Sequence, residues 1–114
     1  MSRIVFNDDA IARTCAINDV ATKDVVAMEE LSECIKEISK SFRGFDNKES
    51  LTEEIADVYF ILAQIAHIED ISMMDIQEQI GIKMERQINR DQLYLEELEK
   101  SDPQEYVYTL LQLL

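Results

Sequence analysis

Ile55-Ala56-Asp57-Val58-Tyr59-Phe60-Ile61-Leu62-Ala63-Gln64-Ile65-Ala66-His67-Ile68 decides the fold. Only Asp57, Gln64 and His67 interrupt an otherwise apolar run that contains neither glycine nor proline. Such a run reads as a helix that is apolar nearly all round, suited to the middle of a bundle or to a subunit interface. Just upstream, Ser50-Leu51-Thr52-Glu53 matches a capping box, in which the serine and glutamate satisfy each other's orphan amides. Before that lies Arg43-Gly44-Phe45-Asp46-Asn47, the clearest loop in the chain, with Gly44 suited to a helix C-terminus. Further back, Met28, Leu31, Ile35, Ile38 and Phe42 recur at spacings of three and four and form one apolar stripe. That helix begins after Asn18 or Asp19, and a shorter one opens at Asp8 or Asp9 and runs to about Ile17.

Downstream of the apolar run, Ser72 with Asp75 offers a second capping arrangement. The helix it starts runs through Ile76, Ile80, Met84 and Ile88 and on to Lys100 by way of Leu95 and Leu98. Gly81 weakens its middle without breaking it. Asp102-Pro103 marks a last start, with proline at the first helical position, and Val107, Leu110, Leu111 and Leu114 then share one side. That final helix is expected to pack back on the bundle or on a partner subunit. No strand pattern competes, so the expected fold is an all-α bundle of four to five helices.

Composition agrees. Two glycines and one proline in 114 residues leave little room for the turns of a sandwich or barrel. The length fits one domain over residues 1–114, with no linker, repeat or low-complexity tract. A formal net charge of -13 repels phosphate backbones and anionic lipid heads, which excludes nucleic acid and membrane docking as expectations. An acidic protein that handles a phosphorylated small molecule needs cations as intermediaries. Cys15 and Cys34 are too few for a disulfide framework and read as reduced, half-buried small hydrophobes. With no signal-peptide stretch in MSRIVFNDDA and no long apolar run, the expected location is cytoplasmic.

Two acidic groups carry the candidate chemistry, Glu29-Glu30-Leu31-Ser32-Glu33 and Glu54-Ile55-Ala56-Asp57. Residues three apart share a helix face, so Glu30 with Glu33, and Glu54 with Asp57, each aim two carboxylates the same way. Two antiparallel helices that bring these pairs together would offer oxygen ligands to magnesium or manganese. Asp57 is the sharpest signal, because an ionised carboxylate in an apolar helix must be neutralised, hydrogen-bonded or bound to a cation. Helix arithmetic sets Glu30 at the edge of the apolar stripe and Glu33 further toward solvent.

The pair Glu30-x-x-Glu33 and Glu54-x-x-Asp57, separated by the 20 residues from 34 to 53, resembles the ExxE…ExxD motif of the MazG-like all-α nucleoside triphosphate pyrophosphohydrolases. The resemblance spans about residues 20 to 90. It implies magnesium bound by Glu30, Glu33, Glu54 and Asp57, with manganese as a substitute. It also implies attack of water next to the α-phosphate of a nucleoside triphosphate, yielding a monophosphate and pyrophosphate. Glu29 or Glu53 would serve as the catalytic base. Lys83, Gln87 and Arg90 match the family's basic segment and would contact substrate phosphates, although Gln87 stands where several relatives have asparagine. A homodimer or a homotetramer built as a dimer of dimers is further implied. Upstream, Thr22 and Lys23 stand where relatives often carry glutamine.

Three other readings meet the same residues. A ferritin-like iron site fails, because the residue three before His67 is Gln64 rather than glutamate. A phosphoribosyl-ATP pyrophosphohydrolase would share the fold and the metal chemistry. An acidic helical interaction module would keep the bundle without catalysis, but would gain nothing from a carboxylate at position 57.

Overall fold

The computed structural model describes residues 4–114. Five helices follow one another, α1 (Asp8–Ile17), α2 (Val20–Phe42), α3 (Lys48–Ile68), α4 (Met73–Ser101) and α5 (Pro103–Gln112), and no strand occurs among the described residues. They divide into two compact units, one ending at Met73 and one beginning at Met74.

In the first unit α2 and α3 form an antiparallel hairpin, and α1 packs on α3. Asn7 caps α1 by accepting from the Ala10 amide at 3.0 Å, and Asp19 caps α2 by accepting from Ala21 at 2.9 Å. The hairpin turn is closed by Gly44, whose φ of 87° places it in the left-handed region. There the Phe45 amide donates to the Lys40 carbonyl at 3.1 Å and the Gly44 amide to that of Ser41 at 3.0 Å, satisfying two carbonyls of the last turn of α2. The same motif ends α3, with Asp70 (φ 56°) in the glycine position and the Ile71 amide donating to Ala66 at 2.8 Å.

The capping box expected at Ser50 does not form, because α3 starts earlier, at Lys48, and Ser50 lies within it. Asn47 precedes the helix, and its side-chain amide is used elsewhere: it donates to the Glu37 carbonyl at 2.8 Å and to Glu37 Oε2 at 2.7 Å, fastening α3 to the end of α2.

The apolar stripe of α2 is also not where a core would need it. Met28, Leu31, Ile35, Ile38 and Phe42 are all exposed in the chain, Ile35 by 67% and Phe42 by 91%. The side chains that α2 buries or half-buries are Lys23, Val26, Ala27, Glu30, Cys34, Glu37 and Lys40. Glu30 therefore lies within the packed face rather than at its edge. In α3 the buried residues are Ile61, Ala63, Gln64 and Ala66, while Ile55, Tyr59, Phe60 and Leu62 are exposed, so this helix is covered on one side only. His67 is exposed. Cys15 and Cys34 are free and half-buried.

In the second unit α4 runs without a break through Gly81, beginning directly after Ser72. Asp102 caps α5, its Oδ1 accepting from the Glu105 amide at 3.2 Å, with Pro103 in the first turn. Neither helix has a fully buried residue; Leu95, Leu98, Tyr106 and Thr109, on either side of the turn, are half-buried.

Candidate metal centre

Because α2 and α3 run antiparallel, carboxylates three apart on each helix meet as facing pairs. Glu30, Glu33 and Glu54 each direct a carboxylate oxygen to a common region, and these oxygens lie within 4.8 Å of one another. Asp57 adds its charge from the Glu30 side, its carboxyl acting on that of Glu30 as the carboxyl of Glu33 acts on that of Glu54. Glu30 and Glu54 are half-buried; Glu33 and Asp57 are exposed, so Asp57 sits at the rim rather than within the apolar packing.

The electrostatics follow from this crowding. Lost hydration pushes the Glu30 carboxyl above its ordinary value of 4.5, and the charges of Asp57, Glu33 and Glu29 push it further. Glu54 is raised in the same way, first by lost hydration and then by Glu33, Asp57 and Glu30. Two ionised carboxylates have no hydrogen to place between them. Accordingly Oε2 of Glu30 and Oε2 of Glu54 are buried and lack any hydrogen-bond donor. Oxygen atoms in this state need a proton or a cation. A donor set made only of carboxylate oxygens, open to solvent on one side, suits a hard divalent cation that keeps some of its waters.

The other predicted residues are distributed around this group. Glu29 is exposed, and its charge acts on Glu30. Glu53 is exposed on α3 and is not among the groups that act on Glu54. Lys83, Gln87 and Arg90 all lie exposed on α4, in the second unit, where Gln87 donates through Nε2 to Asp91 Oδ1 at 2.8 Å.

Sequence reasoning passed over two residues. Lys23 is 9% exposed and Gln64 4%, and the Lys23 ammonium donates to Gln64 Oε1. A faint signal existed in Gln64, a polar residue in an apolar run seven positions after Asp57, just as Lys23 lies seven before Glu30.

A helical hairpin whose seam gathers carboxylates in this way offers oxygen atoms of the kind that hard cations take. The family model of the MazG nucleotide pyrophosphohydrolase domain matches residues 19–92, which takes in α2, α3 and most of α4. The chain belongs to that family, whose members are generally metal-dependent. No curated protein and no solved structure matches it. No helix among the described residues is long and apolar enough to cross a membrane.

Proposed function

We propose that the chain is a magnesium-dependent nucleoside triphosphate pyrophosphohydrolase, with residues 1–114 acting as one functional domain. The observation that carries this reading is the pair of buried carboxylate oxygens, Glu30 Oε2 and Glu54 Oε2, left without donors inside a four-carboxylate group. Glu30, Glu33, Glu54 and Asp57 would hold Mg2+, or Mn2+ in its place. When bound, the metal neutralises the triphosphate and lowers the pKa of a water.

The chain's own residues supply the rest. Lys83, Gln87 and Arg90 recur at spacings of four and three along α4, so one phosphate chain can meet all three. Gln87 would exchange its Asp91 partner for a phosphate oxygen. Glu29 or Glu53, both exposed beside the carboxylate group, would serve as the base. As water attacks the α-phosphorus, its proton passes to that carboxylate. The bond between the α-phosphorus and the bridging oxygen breaks, and pyrophosphate departs with that electron pair.

An oligomer fits the same reading. The α2 stripe leaves five large apolar side chains exposed, which an isolated acidic protein gains nothing by presenting to water. A homodimer or homotetramer would cover them.

A panel of nucleoside triphosphates assayed for pyrophosphate release in Mg2+ tests the activity, with Glu30→Gln as the control. Turnover of at least one nucleotide is expected, with a loss of at least about a hundredfold in the variant. Equal rates in both proteins would refute the assignment.

A further inference from the structure

Two helices carrying four mutually repelling carboxylates have every electrostatic reason to slide until those groups part. What holds them in register is visible two turns away. Starting from Lys23 and moving seven residues along α2 reaches Glu30, while moving seven residues back along α3 from Gln64 reaches Asp57. Three residues further in each direction give Glu33 and Glu54. The Lys23–Gln64 hydrogen bond and the two carboxylate pairs are thus rungs of one antiparallel ladder, with the buried Ala27 and Ile61 on the step between.

We propose that the buried Lys23–Gln64 pair is the positioning element of the metal centre, locking α2 against α3 in the register that makes the four carboxylates face one another. The inference rests on the metal-site reading above and adds residues to it that touch neither metal nor substrate.

The apolar part of the seam sets this register only weakly. Apart from Ile61, its buried residues are Ala27, Ala63 and Ala66, which are small and offer little resistance to a slide of one turn, about 5.4 Å. Lys23 does resist. Its ammonium has two acceptors, Gln64 Oε1 and Thr14 Oγ1 at 3.3 Å, both neutral, and it makes no ion pair among the described residues. A slide would strand this charge among alanines without an acceptor, the costliest outcome for a buried cation. Gln64 is held ready by its own backbone-directed bond, Nε2 donating to the Phe60 carbonyl at 3.4 Å, which turns Oε1 toward Lys23. Thr14 extends the lock to α1, and Cys15 adds a contact from Sγ to the Gln64 carbonyl at 3.7 Å. Buried polar pairs that specify register at some cost in stability are known from helical assemblies, where apolar contacts alone leave several alignments close in energy.

The decisive experiment needs no metal. In chelator, thermal melting of the full chain is measured for Glu30→Gln in the native background and in Lys23→Met. If Lys23 fixes the register, removing the Glu30 charge raises the melting temperature clearly in the native background. It does so much less in Lys23→Met, whose helices have already shifted to separate the carboxylates. If Lys23 acts on Glu30 only as a distant positive charge, the sign reverses, and Glu30→Gln gains more once the ammonium is gone. An equal or larger gain in Lys23→Met overturns the proposal. Should Lys23→Met fail to fold, Gln64→Leu serves in its place with the same two outcomes.

Mn2+ binding, followed by the paramagnetic resonance of the free ion, supplies the second readout. Lys23→Met and Gln64→Leu are expected to weaken Mn2+ binding about tenfold. The exchanged pair, Lys23→Gln with Gln64→Lys, rebuilds the rung in reverse and is expected to restore most of the affinity. The apolar double variant Lys23→Met with Gln64→Leu should recover thermal stability without recovering Mn2+ affinity, a separation that a merely structural role would not produce. Undiminished Mn2+ affinity in both single variants overturns the proposal. A native chain that binds no Mn2+ would instead count against the metal reading, while the chelator cycle still decides the register.

Discussion

At Glu30 and Glu54 lost hydration and like charge act together, and their consequence is a pH dependence of opposite sign to that of an ordinary surface carboxylate. Both groups have folded values raised above 4.5, so the folded chain holds protons that the unfolded chain has already released. The stability they contribute is complete below 4.5 and is lost as pH rises through the raised values. Glu37 behaves the other way: the Asn47 amide, and then Lys40 at 3.1 Å, lower its value, so its contribution is present above 4.5 and lost as pH falls through the lowered value. Metal-free protein should therefore melt at higher temperature at about pH 5 than at about pH 7, and Glu30→Gln should remove much of that difference. Melting curves in chelator across that range check it. At neutral pH, Mg2+ should raise the melting temperature of the native chain with increasing concentration, and of Glu30→Gln far less.

Elements are joined here by two helix ends of the same design with different residues in the critical place. Gly44 adopts a φ of 87° without strain, and a Cβ there would meet nothing within 4 Å, so the cost of Gly44→Ala is conformational alone. It should destabilise the first unit by about 1–2 kcal/mol, read from denaturant unfolding. At the end of α3 the corresponding residue is Asp70 at φ 56°, and Asp70→Gly should stabilise by up to about 1 kcal/mol in the same assay. Stability gained at Asp70 and lost at Gly44 would show that the left-handed backbone at each helix end, and not only the seam, contributes to the stability of the first unit. A result of equal sign at the two positions would contradict it.

For the whole molecule, the unanswered demand is the exposed α2 stripe on a chain of net charge -13. Charge of one sign opposes association, so a copy that docks there must do so through apolar area. Ile35→Glu, which adds a charge at the middle of that stripe, should shift the native mass toward the monomer in light scattering after gel filtration. Helix content should be unchanged, since Ile35 is 67% exposed within its own chain. An unchanged mass would place any assembly elsewhere.

An all-α bundle of four to five helices, with starts at Asn18 or Asp19 and at Asp102 and a continuous helix through Gly81, was legible in the sequence, because caps and apolar periodicity act over a few neighbouring residues. So was the composition of the carboxylate group, since spacings of three place Glu30 with Glu33 and Glu54 with Asp57 on any helix. Which face of α2 would meet α3 was not. Periodicity identifies a stripe but not its partner, and the hairpin buries Lys23 and Ala27 and half-buries Glu30 while leaving Ile35 and Phe42 outside. Ser50 misled for a related reason: the start of α3 answers to Asn47, whose amide is claimed by Glu37 ten residues away. Local chemistry determines elements by itself, whereas the pairing of Lys23 with Gln64, and with it the meeting of the carboxylates, joins positions far apart in the chain, a choice made only when whole faces compete for burial.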